Sequence, residues 1–407
     1  MVNSDYFPKP RIPTSPVLSL ASFSSNKHQH VPSVLDAGQV RFVTSGKRAI
    51  ALALQQMKIG KNDKVLVPAY HCIAMVEPVI QANATPVFYK INSDTSIDLD
   101  DIQARLDGSI KLLLVVNYFG FPQNLSKIRI FCDEHNILLL EDCAHSFFGG
   151  HNGRSLGSFG DYAIASTMKF FPINEGGLLV SSCHSISSLH LESAGTAFEI
   201  KAALNALERS FEYGRLRLLQ KLIYLPIRFK EFIWKYIKKR VSSEKIDFGP
   251  KASFGPGASD DGFIIEKRWR NKESSFFSKY LIKRVSQRRI ATKRRENYIT
   301  LLDALTGLPG CHPLFAKLPD EVIPYVFPLI VEEPEKFFKP LKDLSIPIIR
   351  FGEFLWQDME TNVCPVSISL SKRVFQFPCH QELTSAELNW MIKEIRGVFL
   401  SNRRNEK

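Results

Sequence analysis

The stretch Ile137-Leu138-Leu139-Leu140-Glu141-Asp142-Cys143-Ala144-His145 decides how this chain reads, together with Gly157-Ser158-Phe159-Gly160-Asp161, Ser166, Lys169 and Glu175-Gly176-Gly177 further on. Four apolar residues in a row predict a buried strand, and that strand ends in an acid. A second apolar segment, Tyr162 to Ser166, leads to a lysine in an apolar loop with Phe170, Phe171 and Pro172. The glycine pair behind it lets backbone approach a ligand closely.

Working outward, strands and helices alternate from Gln39 to about Ser182. Strands are expected at Val40–Thr44, Lys64–Pro68, Thr85–Ile91, Lys111–Asn117, Ile137–Glu141, Tyr162–Thr167 and Leu178–Ser182. Helices are expected at Lys47–Lys58, Ala74–Ala82, Leu99–Leu106 and Leu125–His135. Near-continuous apolar strands separated by helices indicate an α/β fold with a mostly parallel sheet covered on both faces. Ligands of such sheets sit at the carboxyl ends of strands. His71, Asn117, Asp142 and Ser166 with Lys169 follow four different strands, so four strand ends converge on one crevice. The sequence divides into an arm (1–32), a large domain (33–213), a basic and aromatic insertion with a loop (214–272), and a helix with a small C-terminal domain (273–407). Residues 183–213 read as helical, Ser275–Leu305 as one basic helix, and Ser385–Leu400 as a final helix capped by Thr384 or Ser385.

An acid, a hydroxyl and a lysine in this arrangement suit pyridoxal phosphate (PLP). The cofactor needs an amine for its imine, a carboxylate for its ring nitrogen and donors for its phosphate. Lys169 is the candidate amine, since burial favours the neutral form that such a lysine needs; the alternative is an ordinary loop lysine. Asp142 is the candidate partner of the ring nitrogen, or else caps a turn. His145 is placed against the cofactor ring or its phenolic oxygen, or is a satisfied structural histidine. Ser45-Gly46-Lys47 opens a helix whose free N–H groups suit phosphate, with the Ser166 hydroxyl beside them; Ser45 also reads as a plain N-cap. His71 or Tyr70 is the candidate for a flat ring stacked on the pyridine, both being equally readable as core. Cys72 beside His71 has no further sign of thiol catalysis.

These residues resemble the DegT/DnrJ/EryC1/StrS aminotransferases. The matching pieces include Thr44-Ser45-Gly46, Asp63 to Pro68, Thr85-Pro86-Val87-Phe88, Tyr118-Phe119-Gly120, Glu141 to His145, Gly157 to Asp161, Lys169 with Glu175-Gly176-Gly177, and Phe377-Pro378-Cys379-His380. The resemblance implies an aspartate-aminotransferase-like fold: a three-layer PLP-binding domain with a smaller α+β domain. It also implies a homodimer that moves an amino group from an amino acid, usually glutamate, to a keto-sugar nucleotide for surface polysaccharide or amino-sugar synthesis. Lys169 would then serve as general acid and base. The chain departs from the family in having only Thr167 and Met168 between Ser166 and Lys169, and in the residues around His71-Cys72. Asn271 and Arg270 are loose candidates for the residues that reach across the dimer. A PLP-dependent sugar dehydratase is the first alternative, but such relatives carry histidine where Lys169 stands. A degenerate regulator or scaffold is the second, and the intact Asp142, His145 and Lys169 argue against it.

The formal charge of +12 is localised. Gly214–Arg240 carries nine Lys or Arg against Glu231 alone, a net of +8, which leaves the rest nearly balanced and excludes a nucleic-acid surface spread over the fold. Apolar Ile227, Phe232, Ile233 and Ile237 alternate with the cations, as in helices that lie on anionic membranes. Seven scattered cysteines without a CxxC pair suggest reduced thiols and a cytoplasmic protein, at most peripheral at the inner membrane surface. No residue cluster calls for a metal, and neither a signal peptide nor a spanning segment is expected.

Overall fold

The computed structural model describes residues 7–24, 30–228, 269, 271–356 and 363–404. Most of the basic insertion, residues 229–240 included, lies outside the described residues, as does Arg270.

Seven strands form the main sheet: β1 (Gln39–Val43), β2 (Lys64–Pro68), β3 (Thr85–Tyr89), β4 (Ile110–Val116), β5 (Leu138–Asp142), β8 (Tyr162–Ser166) and β9 (Gly177–Ser181), with a small hairpin of β6 (Gly150–His151) and β7 (Arg154–Ser155) between β5 and β8. Their order is β1-β9-β8-β5-β4-β2-β3. The pairs β2–β3, β2–β4, β4–β5 and β5–β8 are parallel, and β9 alone runs against its neighbours β1 and β8. Parallel neighbours need crossovers, supplied by α2 (Ile73–Gln81), α3 (Leu99–Arg105) and α4 (Leu125–Glu134), with α1 (Gly46–Gln56) leading from β1. Residues Leu112 to Val116, Leu139, Leu140 and Ala163 to Ala165 are buried in one continuous core, as the unbroken apolar runs require. The mostly parallel α/β sheet read from the sequence is the sheet observed, with each strand within two residues of its expected ends.

A second sheet, in the order β10 (Cys311–Pro313), β11 (Val326–Val331), β13 (Val374–Pro378) and β12 (Ile349–Arg350), is antiparallel throughout. Its apolar face, with Phe327, Leu329, Phe375 and Phe377, packs a separate core against Tyr298, Leu301, Leu341, Met391, Ile395 and Phe399.

Two expectations are corrected, and one left open is decided. The helical reading of 183–213 shrinks to α5 (Thr196–Glu212), which begins after Gly195 at φ +92°. The single helix expected over 275–305 is two, α7 (Phe276–Arg284) and α8 (Gln287–Leu305). Ser286 breaks it because its hydroxyl accepts the Arg289 N–H and so caps a fresh helix. The cap of the last helix (Ser385–Arg404) is Thr384, whose hydroxyl accepts the Glu387 N–H while the Glu387 carboxylate accepts the Thr384 N–H.

The N-terminal arm lies along the rest of the chain. The Arg11 N–H reaches the Ser345 carbonyl, the Pro13 carbonyl pairs with the His380 ring, and Ser19 and Ser22 donate to Glu382. The Ser286 N–H donates to the Ser22 carbonyl and the Val34 N–H to that of Phe147. The arm thereby touches both cores.

Candidate functional site

The parallel topology puts the carboxyl ends of β2, β4, β5 and β8 along one edge of the sheet. Asp142 ends β5. Ser166 ends β8, and a 3-10 turn, Thr167–Lys169, carries the lysine directly from it. Asp142 is 1% exposed. Its Oδ1 accepts the Ala144 N–H at 2.8 Å, and among the described residues nothing bonds Oδ2. Burial pushes this carboxyl up to about 6, with the Lys169 charge opposing the shift. Lys169 makes no hydrogen bond through Nζ among the described residues, and its amine sits 5.3 Å from the centroid of the Tyr325 ring. Desolvation lowers its pKa, against the pull of Cys72 and Asp142. Asp142, Lys169 and Cys72 are thus close enough to feel one another's charge.

His145 is buried with its ring between Tyr325 and Phe119, at 4.8 and 5.8 Å. Its Nδ1 accepts the Phe119 N–H at 3.4 Å. Desolvation, then the Lys169 charge, holds it well below the usual histidine range, so the imidazole is neutral at pH 7.

The start of α1 lies against the end of β8. A Cβ on Gly46 would stand 3.6 Å from the Ser166 Cβ, so the glycine, the Ser166 hydroxyl and the first helix amides share one corner. The N–H groups of Gly46 and Lys47 belong to the first turn and have no carbonyl partner within the helix. Ser45 caps it, accepting the Arg48 N–H at 3.3 Å. The Lys47 side chain is paired with the buried Glu77 of α2. Gly177 makes the corner possible, because a Cβ there would fall 2.3 Å from the Ser45 carbonyl carbon.

His71 is placed differently from the stacking role considered for it. One ring nitrogen, Nδ1, lies 3.1 Å from the carbonyls of both Pro68 and Ala69, and Nε2 accepts the Trp356 N–H at 2.9 Å. One face stacks on Phe88 at 4.9 Å. Burial lowers its pKa to about 4. This ring is committed to holding the β2–α2 connection against the segment around Trp356. Tyr70 is fully buried, stacked on Tyr118 at 5.3 Å, with no partner for its hydroxyl among the described residues.

Two further residues build the site. Glu175 is buried and accepts from the hydroxyls of Ser274 and Ser275 and the Ser275 N–H, which ties the glycine pair to the start of α7. Arg294 of α8 donates to the Lys169 carbonyl at 2.7 Å. Its signal in the sequence is positional: Ile290, Arg294, Tyr298, Leu301 and Leu305 form one stripe at helical spacing, and the arginine interrupts an otherwise apolar face.

The donor set can be tested against PLP. A buried carboxylate with one oxygen unbonded lacks what a protonated ring nitrogen supplies. An amine without a hydrogen-bonded partner is available to an aldehyde, and two helix N–H groups with a serine hydroxyl suit a phosphate. These residues fit the group.

The model of the DegT/DnrJ/EryC1/StrS aminotransferase family matches residues 30–189, which bears out the resemblance read from the motifs. A GDP-perosamine synthase of Vibrio cholerae is 32% identical over 146 residues, covering 34% of this chain and 39% of that protein. A UDP-N-acetyl-3-dehydro-alpha-D-glucosamine 3-aminotransferase of Acidithiobacillus ferrooxidans is 32% identical over 145 residues, 34% of this chain and 38% of its own length. The chain thus spans about two fifths of the length of the curated relatives it matches. Among solved structures, the aminotransferase from Psychrobacter cryohalolentis superposes with a TM-score of 0.61 at 20% identity, covering 90% of this chain and 89% of that one. The PLP form of Spr1654 from Streptococcus pneumoniae gives 0.62 at 16% identity over 96% and 99%. These likenesses extend the aspartate-aminotransferase-like fold over nearly the whole chain.

Proposed function

We propose that this chain, matched to the DegT/DnrJ/EryC1/StrS family over residues 30–189, is a PLP-dependent aminotransferase that carries an amino group from an amino acid, glutamate by preference, to a keto-sugar nucleotide. The observation that carries the reading is the placement, at adjoining strand ends of one sheet, of Asp142, buried with Oδ2 unbonded among the described residues, and Lys169, whose Nζ makes no hydrogen bond among them. The sugar-nucleotide acceptor is inferred from the activities of the relatives.

Bound at this edge, PLP supplies an electron sink for negative charge developing at a substrate carbon. Asp142 would keep a proton on the ring nitrogen, and that cationic partner would stabilise its ionised form. Lys169 would hold the cofactor covalently through Nζ and, once displaced, take a proton from the substrate carbon and return it as general acid. Neutral His145 would lie beside the ring and its phenolic oxygen. Gly46 and Lys47 amides with the Ser166 hydroxyl would take the phosphate, and Ser45 would keep the helix start in place. His71 would act through packing, by fixing the loop that carries Cys72.

Borohydride reduction of the purified protein should add the cofactor's mass to the peptide holding Lys169, and Lys169→Ala should abolish both that adduct and the long-wavelength absorbance. Glutamate should convert the bound cofactor to its amine form. Absence of a reducible adduct in the wild type sinks the reading.

The same reading takes the protein as a cytoplasmic homodimer with peripheral membrane contact through 214–240. All seven cysteines are free thiols, in keeping with a reducing compartment. The helix α6 (Arg217–Arg228) leaves Leu218 and Leu222 75% and 80% exposed, one turn apart and next to Arg217 and Lys221. No helix among the described residues is long and apolar enough to cross a membrane. Co-sedimentation with anionic vesicles at low salt, lost at high salt, is expected; no binding at low salt refutes the contact.

A further inference from the structure

Arg294 is the one fully buried arginine among the described residues, and none of its hydrogen-bond partners is a carboxylate. Its Nε donates to Gln381 Oε1 at 3.1 Å. Its Nη1 donates to the carbonyls of Pro324 and Tyr325 at 3.1 and 2.7 Å, and its Nη2 to that of Lys169 at 2.7 Å. The guanidinium lies 4.5 Å from the centroid of the Phe170 ring. Gln381, held by the same arginine, donates Nε2 to the Phe170 carbonyl at 2.8 Å. Two side chains from the C-terminal part thus grip consecutive carbonyls, 169 and 170, of the loop that presents the amine. The same guanidinium fixes the backbone of Tyr325, whose ring faces Lys169 Nζ and stacks on His145.

A buried charge without a counter-ion is costly. A neutral donor could staple the two parts of the chain at lower cost, but only the planar fork of arginine addresses three separate segments at once. We propose that Arg294, together with Gln381, is a positioning residue that sets where the Lys169 amine stands relative to Asp142 and Tyr325. The inference rests on the reading of Lys169 as the cofactor-bearing amine. It goes beyond that reading by making residues near 294 and 381 determinants of cofactor geometry.

The test uses the full-length holoenzyme with Arg294→Lys, Gln381→Met and, as control, Arg295→Ala. Arg295 also donates to carbonyls, those of Pro319 and Val322, but to none of the carbonyls of Lys169, Phe170 and Tyr325 that Arg294 and Gln381 hold. Three quantities are read: PLP affinity, the visible circular dichroism per bound PLP, and kcat against KM for the amino donor. Arg294→Lys and Gln381→Met should weaken PLP binding about tenfold, in line with loss of one hydrogen bond to a charged or buried group. Each should also lose at least about half of the visible dichroism and lower kcat more than it raises KM; Arg295→Ala should match the wild type. Should Arg294→Lys fail to fold, Gln381→Met decides, since it leaves the Phe170 carbonyl without its donor. Variants that are less heat-stable yet keep wild-type affinity and dichroism overturn the proposal and leave a domain staple. A wild type that forms no reducible adduct fails the functional reading instead, and the two failures are told apart by that measurement.

Discussion

Asp142→Asn probes the central carboxyl through stability alone. Its shift from an ordinary 3.8 to about 6 corresponds to about 3 kcal/mol. For an acid whose folded pKa is raised, the native state holds its proton more tightly than the unfolded chain. Stability therefore falls as pH rises through the window from 3.8 to about 6, and the full penalty stands above it. Asparagine keeps an acceptor for the Ala144 N–H and removes the charge. In cofactor-stripped protein, the variant should be more stable than the wild type by up to about 3 kcal/mol at pH 7.5, and the gap should close below pH 4. With PLP added the order should reverse, because an amide cannot neutralise a protonated ring nitrogen. Guanidinium titrations of both proteins between pH 3.5 and 8, with and without PLP, measure this. Two parallel stability curves across that range without PLP would refute the claim that Asp142 is a buried carboxylate without a cationic partner.

Further outcomes can be measured directly. Gly177→Ala, which drives a Cβ to 2.3 Å from the Ser45 carbonyl carbon, should displace the first turn of α1 and weaken PLP binding about tenfold or more, read by cofactor titration. Glu382→Ala removes the acceptor of Ser19 and Ser22 and leaves Arg289 without its carboxylate, with only the Gln381 carbonyl to donate to. It should cost about 3 kcal/mol and open the arm to proteolysis near residues 20–24, read by limited digestion. Burial holds His71 at about 4 and His380 at about 3. A depressed histidine contributes stability above its unfolded pKa that is lost as pH falls, so moving from pH 7 to 5 should cost about 2 kcal/mol for each, an increment His71→Gln should halve.

The sheet was legible because both faces of each strand are buried, which writes itself as unbroken apolar runs; Leu138–Asp142 and Lys64–Pro68 needed nothing more. Asp142, Ser166 and Lys169 were legible for a related reason, as polar residues at the ends of such runs stand at the ligand edge. His71 met the same criterion, but its ring is held by Trp356, 285 residues later. No local pattern announces a partner so distant. The break at Ser286 was hidden because a serine within a basic stretch reads as a surface position until its hydroxyl is seen to cap. Arg294 was hidden among Arg288, Arg289 and Arg295, and only the apolar stripe through Ile290, Tyr298 and Leu301 marks it as the arginine that points inward.

The arm has a consequence for biosynthesis. Its docking partners include the Ser345 carbonyl, the His380 ring and Glu382, and the Pro13–His380 contact joins residues 367 positions apart. During translation, residues 11–24 leave the ribosome long before those partners exist. The arm must therefore wait for these three partners while the main sheet assembles behind it. Its docking is completed only once Glu382 has been made, so this stretch of the nascent chain stays open to chaperones until then.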